Sequence, residues 1–432
     1  MKTIMSYLRI GSALILMIVC TQVLGSTLSD IHVEGKFLIN AKGEKVMLHG
    51  VMDTPSPYFS GYRWGRIWQC EDQHVDAAKE YFEKIFTAVT DTAQGSYCNV
   101  FRLHLDPCWT NNPKIPRSGK AQGEANISQY DSERLSHYLD LLFVPLAMQA
   151  HNHGMYVIMR PPGVCPGEIK VGGEYQKYLL NVWDIVSRNK MIKKNEGWLS
   201  LELANEPINV LDANGKRTPE ALHDFFQPIV DLIRQNGYKG IIWVPGAVWQ
   251  QEYRPYAEHP ITDKLNKPQI GYAVHWYPGW YKTSDEHHNE DESIATFGES
   301  VPVVNTNPIM ITEVDWSPEN PEREGHYNEG GHWVKPNYGT WATGSTSKFG
   351  LAFKATVEYY GNIGMTLTHT HDYLDIDLYL KSGVVKPAFH SVMPDNAYEA
   401  CSGACFRWYK EWAEIRPLDP RDFIFKHNGR AQ

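Results

Sequence analysis

Past its first 25 residues this chain of 432 has no long apolar run. A helix that crosses a bilayer needs about 20 consecutive apolar residues, so no span is expected in the remainder. Basic charge is also in short supply, with 41 Lys and Arg against 50 Asp and Glu. Phosphate backbones need a basic face, which excludes nucleic acid as the expected partner and makes a neutral ligand easier to accept. Cysteine is sparse, at seven residues. There is no internal repeat, and no Pro- or Ser-rich linker divides the chain. With 42% hydrophobic and only 21% charged residues, it has too much apolar surface to stay disordered.

The one long apolar stretch is at the start. Lys2 and Arg9 precede the run Ile10 to Cys20, and Val23-Leu24-Gly25 supplies small residues before Ser26. This is the pattern of a secretion leader over residues 1–25. A secreted or periplasmic protein is expected. A lipid anchor on Cys20 is disfavoured, because Val19 stands where a small residue is needed. Without the leader, 39 basic residues face 50 acidic ones, a net charge of −11. Six cysteines remain: Cys70, Cys98, Cys108, Cys165, Cys401 and Cys405. An even number in an exported chain permits disulfides. Cys401 and Cys405, four apart in an expected helix, are better placed to find partners elsewhere than each other.

Aromatics are plentiful, with 14 Trp and 24 Tyr. Flat apolar faces suit sugar rings; large barrels also carry many in their cores. Composition leaves both readings open.

The patterning alternates strand and helix throughout. An N-terminal hairpin is expected over 31–48, turning at 40–44. Strands follow at 46–51, 99–105, 155–159, 198–204, 240–244, 270–275, 309–316 and 365–371. Helical patterns lie between most of them, at 76–90, 131–151, 172–190, 218–235 and 347–360, with a last helix at 396–412. The strands read as continuous apolar runs, as strands buried on both faces do. Eight such strands predict a (β/α)8 TIM barrel, with an N-terminal β-hairpin and long loops on its active face. Residues 26–432 are expected to form this single domain.

The most informative stretch is Trp198-Leu-Ser-Leu-Glu-Leu-Ala-Asn-Glu-Pro207. Its apolar alternation is that of a short strand, and Pro207 stops it because proline cannot donate to a ladder. Asn205 and Glu206 therefore stand at the carboxyl end of a buried strand, where barrels carry their chemistry. Glu313 occupies the same position on the seventh strand. Around a closed barrel those ends converge, and a pair of carboxyl groups is what glycosidic cleavage requires. Arg102 and His104 share parity on the second strand. A charge there needs a partner, either a catalytic carboxylate or a structural one.

These features together resemble glycoside hydrolase family 5, the cellulase-like family of retaining barrel enzymes. The matching segments are 34–44, Phe101-Arg102-Leu103, Asn205-Glu206-Pro207, His275-Trp276-Tyr277 and Thr312-Glu313. The resemblance implies Glu206 as acid/base and Glu313 as nucleophile. It implies that Asn205 bonds the sugar 2-hydroxyl, that Arg102 keeps Glu313 ionised, and that Tyr277 donates to Glu313. His275 would line the same subsite, and His104 and Trp316 would support it. It implies a carbohydrate partner and no metal or other cofactor. The expected activity is double displacement on a β-glycan, endo-acting on β-1,4-glucan or mannan.

Two segments depart from the family pattern. Arg160 to Glu168 resembles instead a loop of the β-galactosidases of family 35, in which a Glu after the Cys contacts the sugar. Glu168 would then favour exo-action, as in a β-galactosidase or β-glucosidase. At the end of the eighth strand, His369 and His371 stand where the family carries a platform Trp, and face the same way. Two rival readings remain. One is a metal-dependent hydrolase using His104, His275, His369, His371 and Asp372. The other is a sugar-binding barrel without catalysis. Neither accounts for Asn205-Glu206 and Glu313 as well.

Overall fold

The computed structural model describes residues 28–283, 289–316, 326–327, 333–334, 347–389 and 401–414. The expected leader at 1–25 and most of the long insertion after the seventh barrel strand lie outside them.

Strands β1 (Ile31–Glu34) and β2 (Phe37–Asn40) form an antiparallel hairpin. The barrel strands are β3 (His49–Asp53), β4 (Val100–His104), β5 (Tyr156–Arg160), β7 (Leu199–Glu202), β9 (Ile242–Pro245), β10 (Ile270–Trp276), β11 (Ile309–Val314) and β14 (Ile363–Leu367). They pair in parallel in chain order and close, β14 on β3. Two small sheets lie outside the barrel. Strands β6 (Glu168–Lys170) and β8 (Asn209–Leu211) pair in parallel, and β12 (His326–Tyr327) pairs antiparallel with β13 (Trp333–Val334). The chain is a (β/α)8 barrel with an N-terminal hairpin.

Every barrel strand is buried along its whole length, which is why the apolar runs are continuous. The surrounding helices each bury one stripe. In the helix Val75–Val89, Ala78, Phe82, Ile85, Phe86 and Val89 recur at helical spacing and turn inward. Phe86 meets Phe101 of β4 edge to face, centroids 4.9 Å apart. Burying one such ring contributes roughly 1.5–3 kcal/mol. The last helix, Cys401–Glu414, covers the β14–β3 side, where the Tyr409 hydroxyl donates to the Gly50 carbonyl at 2.7 Å.

Several expectations need correcting. The hairpin turns at Gly35-Lys36, not at 40–44; the later residues make a second turn, closed by Asn40 N–H to Glu44 O at 2.9 Å. The helix expected over 131–151 is three pieces: Ser132–Tyr138, a π-helical stretch Leu139–Phe143, and Val144–Asn152. Pro145 has no N–H to give to the preceding turn, which widens there. The helix Glu290–Ser300, started by the Asn289 side chain, went unread. The eighth strand stops at Leu367, so His369 and His371 are not strand residues; Thr370–Tyr373 is a short helical turn.

Only Cys70 and Cys108 are bonded among the described cysteines. Cys98, Cys165 and Cys405 are free and buried, and Cys401 is buried as well. Cys405 therefore lacks the disulfide partner expected elsewhere, and the Cys401 thiol donates to Asp315 at 3.2 Å. Among the described residues, no helix is long and apolar enough to cross a membrane.

Candidate active site

Inside the barrel mouth the guanidinium of Arg102 organises three strands. Its Nε and Nη2 donate to the two oxygens of Glu202 at 2.6 and 2.9 Å. Nη1 donates to Glu313 Oε1 at 2.8 Å, and Nη2 also to Asn205 Oδ1 at 2.6 Å. Arg102 and Glu202 are wholly buried. Buried charges persist only when paired and hydrogen-bonded, and this pair answers the parity argument both ways: Arg102 has a structural carboxylate and a cavity carboxylate. Thr312 donates to Glu202 at 3.1 Å. Arginine only donates, so the oxygen of the Asn205 amide faces it and the NH2 end is turned away.

Glu313 accepts a second hydrogen bond, from the Tyr277 hydroxyl at 2.9 Å. Burial alone would raise its pKa. The charges of His275, Arg102 and Arg160 and the Arg102 hydrogen bond outweigh burial and hold it down at about 2. It is a carboxylate across the neutral range.

Glu206 comes from the turn after β7, with its backbone in the left-handed region at φ 57°. Non-glycine residues adopt that region rarely, and it concentrates at functional sites. His275 Nδ1 lies 3.2 Å from Glu206 Oε1 and 3.4 Å from Glu313 Oε2. Carboxylate oxygens of Glu206 and Glu313 stand within 4.8 Å of one another. Two residues 107 positions apart thus share one gap beside the His275 ring.

The other sequence-derived residues separate into groups. His104 is fully buried. The Gly163 N–H donates to its Nε2 at 3.0 Å, which leaves the ring proton on Nδ1, facing Thr54 Oγ1 at 3.3 Å. Burial, with the charges of Arg160, Arg102 and His369, pushes its pKa well down, so it is neutral. It props the 161–167 loop, whose Cys165 N–H donates to the Asn205 carbonyl at 2.8 Å. His369 and His371 stack at 4.7 Å, with His369 Nδ1 3.2 Å from Asp372 Oδ2. Burial lowers the His369 pKa, but Asp372, Asp53 and Glu313 raise it more. The five residues of the metal reading fall into three separate groups rather than one site. Glu168 is exposed on the β6–β8 sheet, outside the contacts that hold the carboxylate pair.

Trp316, expected to support the sugar site, and two loop tryptophans, Trp109 and Trp64, belong to the core. Trp316 is fully buried against Trp408 at 5.3 Å. Trp109 is fully buried, its indole donating to the Pro55 carbonyl, with Trp64 stacked above at 6.3 Å. Trp341 lies outside the described residues, and of Trp333 only the backbone is described. Exposed and half-buried rings instead form a row on the loop after β3. Trp68 meets Tyr62 at 5.6 Å, Tyr62 meets Tyr58 at 6.4 Å, Tyr58 meets Phe59 at 5.2 Å, and Phe59 stacks on His369 at 6.1 Å. The loop is braced by the Cys70–Cys108 bond and by Arg63 donating to both oxygens of Asp377 at 2.7 and 3.1 Å.

Sequence reasoning missed Glu202, Thr312 and Gln250. Glu202 did carry a signal: an acidic residue within a buried apolar strand must have a cation opposite. Gln250 carried none.

A closed parallel barrel whose mouth sets two glutamates across a sugar-sized gap defines a barrel glycosidase. The model of the cellulase family, glycosyl hydrolase family 5, matches residues 87–335. The chain belongs to this family and is a glycosidase acting on carbohydrate. Among solved structures, a β-glucanase from Saccharophagus degradans in complex with cellotetraose is 17% identical, with a TM-score of 0.55 over 90% of this chain and 94% of that one. The native form of that β-glucanase is 18% identical, at 0.54 over the same shares. A cellulase at 14% identity reaches 0.50, again over 90% and 94%. At these identities the likeness is one of fold. Comparison with curated proteins returned no match.

Proposed function

We propose that this chain is an exported, retaining, endo-acting hydrolase of β-1,4-glucan. One observation carries the reading: a carboxylate oxygen of Glu206 and one of Glu313 lie within 4.8 Å of each other. Double displacement places such a pair about 5–5.5 Å apart, whereas inversion needs at least about 6.5 Å to admit a water.

In the first step Glu313 attacks the anomeric carbon while Glu206 gives its proton to the departing glycosidic oxygen. The bond to the leaving sugar breaks and an ester to Glu313 forms. Glu206, now a carboxylate, takes a proton from water as that water attacks the anomeric carbon, and the bond from that carbon to Glu313 breaks. Arg102 and Tyr277 keep Glu313 charged and oriented. The Asn205 NH2 donates to the sugar 2-hydroxyl, a contact that strengthens as the ring flattens. Because Glu313 must be ionised while Glu206 carries a proton, the concentration of positive charge on Glu313 suits the nucleophile's role.

Endo-action is supported by aromatic surface on both sides of the pair. The Trp68–Tyr58 row leads away from His369 on the β14–β3 side, and Trp249, 43% exposed, stands after β9 beside the Glu206 turn. Glucan is placed ahead of mannan because the neighbouring β-glucanase fold was solved with cellotetraose bound. Export is supported by the leader pattern and by the Cys70–Cys108 disulfide, a bond of oxidising compartments.

The test is the fate of the anomeric carbon. Proton NMR of early products should show the β-anomer first. Glu313→Ala and Glu206→Ala should each cut turnover by orders of magnitude, and azide should rescue Glu313→Ala with an inverted glycosyl azide. Immediate α-product from the unaltered enzyme rules out the double displacement. Product profiles on cellulose, mannan, xylan, xyloglucan and galactan fragments decide the glycan.

A further inference from the structure

Glu206 does not hold its left-handed backbone unaided. Three consecutive residues after β9, Val248, Trp249 and Gln250, are also left-handed, with φ of 55°, 55° and 61°. L-residues visit this region singly, if at all, so a run of three, one of them β-branched, persists only where its surroundings impose it. Those surroundings are the Glu206 turn itself. Val248 N–H donates to the Ile208 carbonyl at 3.1 Å and Trp249 N–H to the Pro207 carbonyl at 3.0 Å. The third residue, Gln250, points inward and is fully buried. Its Oε1 accepts the Glu206 N–H at 2.7 Å, and its Nε2 donates to the Ala273 carbonyl at 3.0 Å, with Glu202 Oε1 at 3.5 Å. Its own carbonyl accepts the His275 N–H at 3.1 Å.

One amide therefore ties together the turn that bears Glu206, the strand that bears His275, and the carboxylate that holds Arg102. We propose that Gln250 is a positioning residue for the acid/base, fixing the Glu206 main chain, and through His275 its carboxyl, at the leaving oxygen. The inference rests on the reading of Glu206 as proton donor. The left-handed turn exists to deliver this side chain: in a right-handed or extended turn the amide would not be presented beneath Glu206.

A residue that only positions the acid matters when the leaving group needs a proton. The full chain is assayed on phenyl and 2,4-dinitrophenyl β-glycosides of one cello-oligosaccharide, since dinitrophenolate leaves without protonation. Gln250→Met keeps the length and removes the hydrogen bonds of the amide. It should lose about 30-fold or more in kcat/KM on the phenyl substrate and less than about threefold on the dinitrophenyl one. Gln250→Asn, polar but a methylene short, should show the same split and covers failure of the first variant to fold. Equal losses on both substrates, or no loss on either, overturn the proposal. Glu206→Gln is run alongside. If that variant itself shows no dependence on leaving group, the fault lies with the acid/base assignment and not with Gln250.

Discussion

Arg102 turns one edge of its guanidinium to Glu202, at 2.6 and 2.9 Å, and keeps the remaining nitrogen for Glu313, at 2.8 Å. Glu202 thus neutralises the cation on the side away from the cavity and sets the angle at which it meets Glu313. Glu202→Gln leaves a buried guanidinium short of a counter-charge. Breaking one side of a buried pair costs on the order of 3–5 kcal/mol, to be read by denaturant unfolding. Turnover should fall by up to about 100-fold, the scale of a misplaced reacting group. A variant with unchanged stability and rate contradicts this role.

The low pKa of Glu313 fixes the sign of a pH effect. Its folded value of about 2 lies below the ordinary 4.5, so ionised Glu313 stabilises the fold above pH 4.5. That contribution, on the order of 3 kcal/mol, is lost as pH falls from 4.5 toward 2. Replacing Arg102 by Lys removes the bidentate hold on Glu202 and weakens the contact with Glu313. The Glu313 pKa should rise, and the acid limb of kcat/KM should move to higher pH. An acid limb that stays in place in Arg102→Lys shows that the guanidinium does not tune this carboxylate.

His369 has the opposite sign. Asp372, Asp53 and Glu313 raise its pKa above 6.5. The protonated ring contributes stability that is fully present below pH 6.5 and disappears as pH rises through the folded value. His369→Gln should flatten thermal stability between pH 6 and 9, a range in which the unaltered protein loses stability. An NMR titration of the His369 ring with a midpoint below 6.5 contradicts this.

These groups differ in how readily the sequence disclosed them. The barrel was legible because its strands are buried on both faces, which writes an uninterrupted apolar run for each. Glu206 and Glu313 were legible because each closes such a run. The hairpin turn was not, since Gly35 and Gly43 are both left-handed and the polar stretch at 40–44 hid the earlier turn. The expected eighth strand runs four residues past its end at Leu367, yet His369 and His371 still stack, brought together by the helical turn rather than by strand parity. Trp316 was expected to support the sugar site because sequence does not separate an aromatic above a barrel from one wedged behind it. Gln250 was invisible for a different reason. Its place depends on a left-handed run of non-glycine residues, and no local rule of composition announces one.

The aromatic row on the loop after β3 makes substrate length a measurable consequence. Trp68 is 59% exposed and Tyr58 43%, and adjacent ring centroids along the row stand 5.2 to 6.4 Å apart. An aromatic face stacked on a sugar ring is worth about 1 kcal/mol, or roughly fivefold in affinity. Trp68→Ala should raise KM about fivefold on cellohexaose and leave the smallest cleavable oligosaccharide unchanged, because only the longer chain reaches the far end of the row. The same substitution should not alter kcat, since the contact described for Trp68 is with Tyr62, and the groups that hold Glu313 among the described residues are Arg102, Tyr277 and His275. Breaking the Cys70–Cys108 bond in a Cys70→Ser/Cys108→Ser double variant releases the base of this loop. It should cost about 2–4 kcal/mol of stability and reproduce the Trp68→Ala length effect, with the row intact in sequence but no longer held in line. If the double variant lowers the rates on short and long substrates by the same factor, the loop supports the barrel and does not carry the glycan.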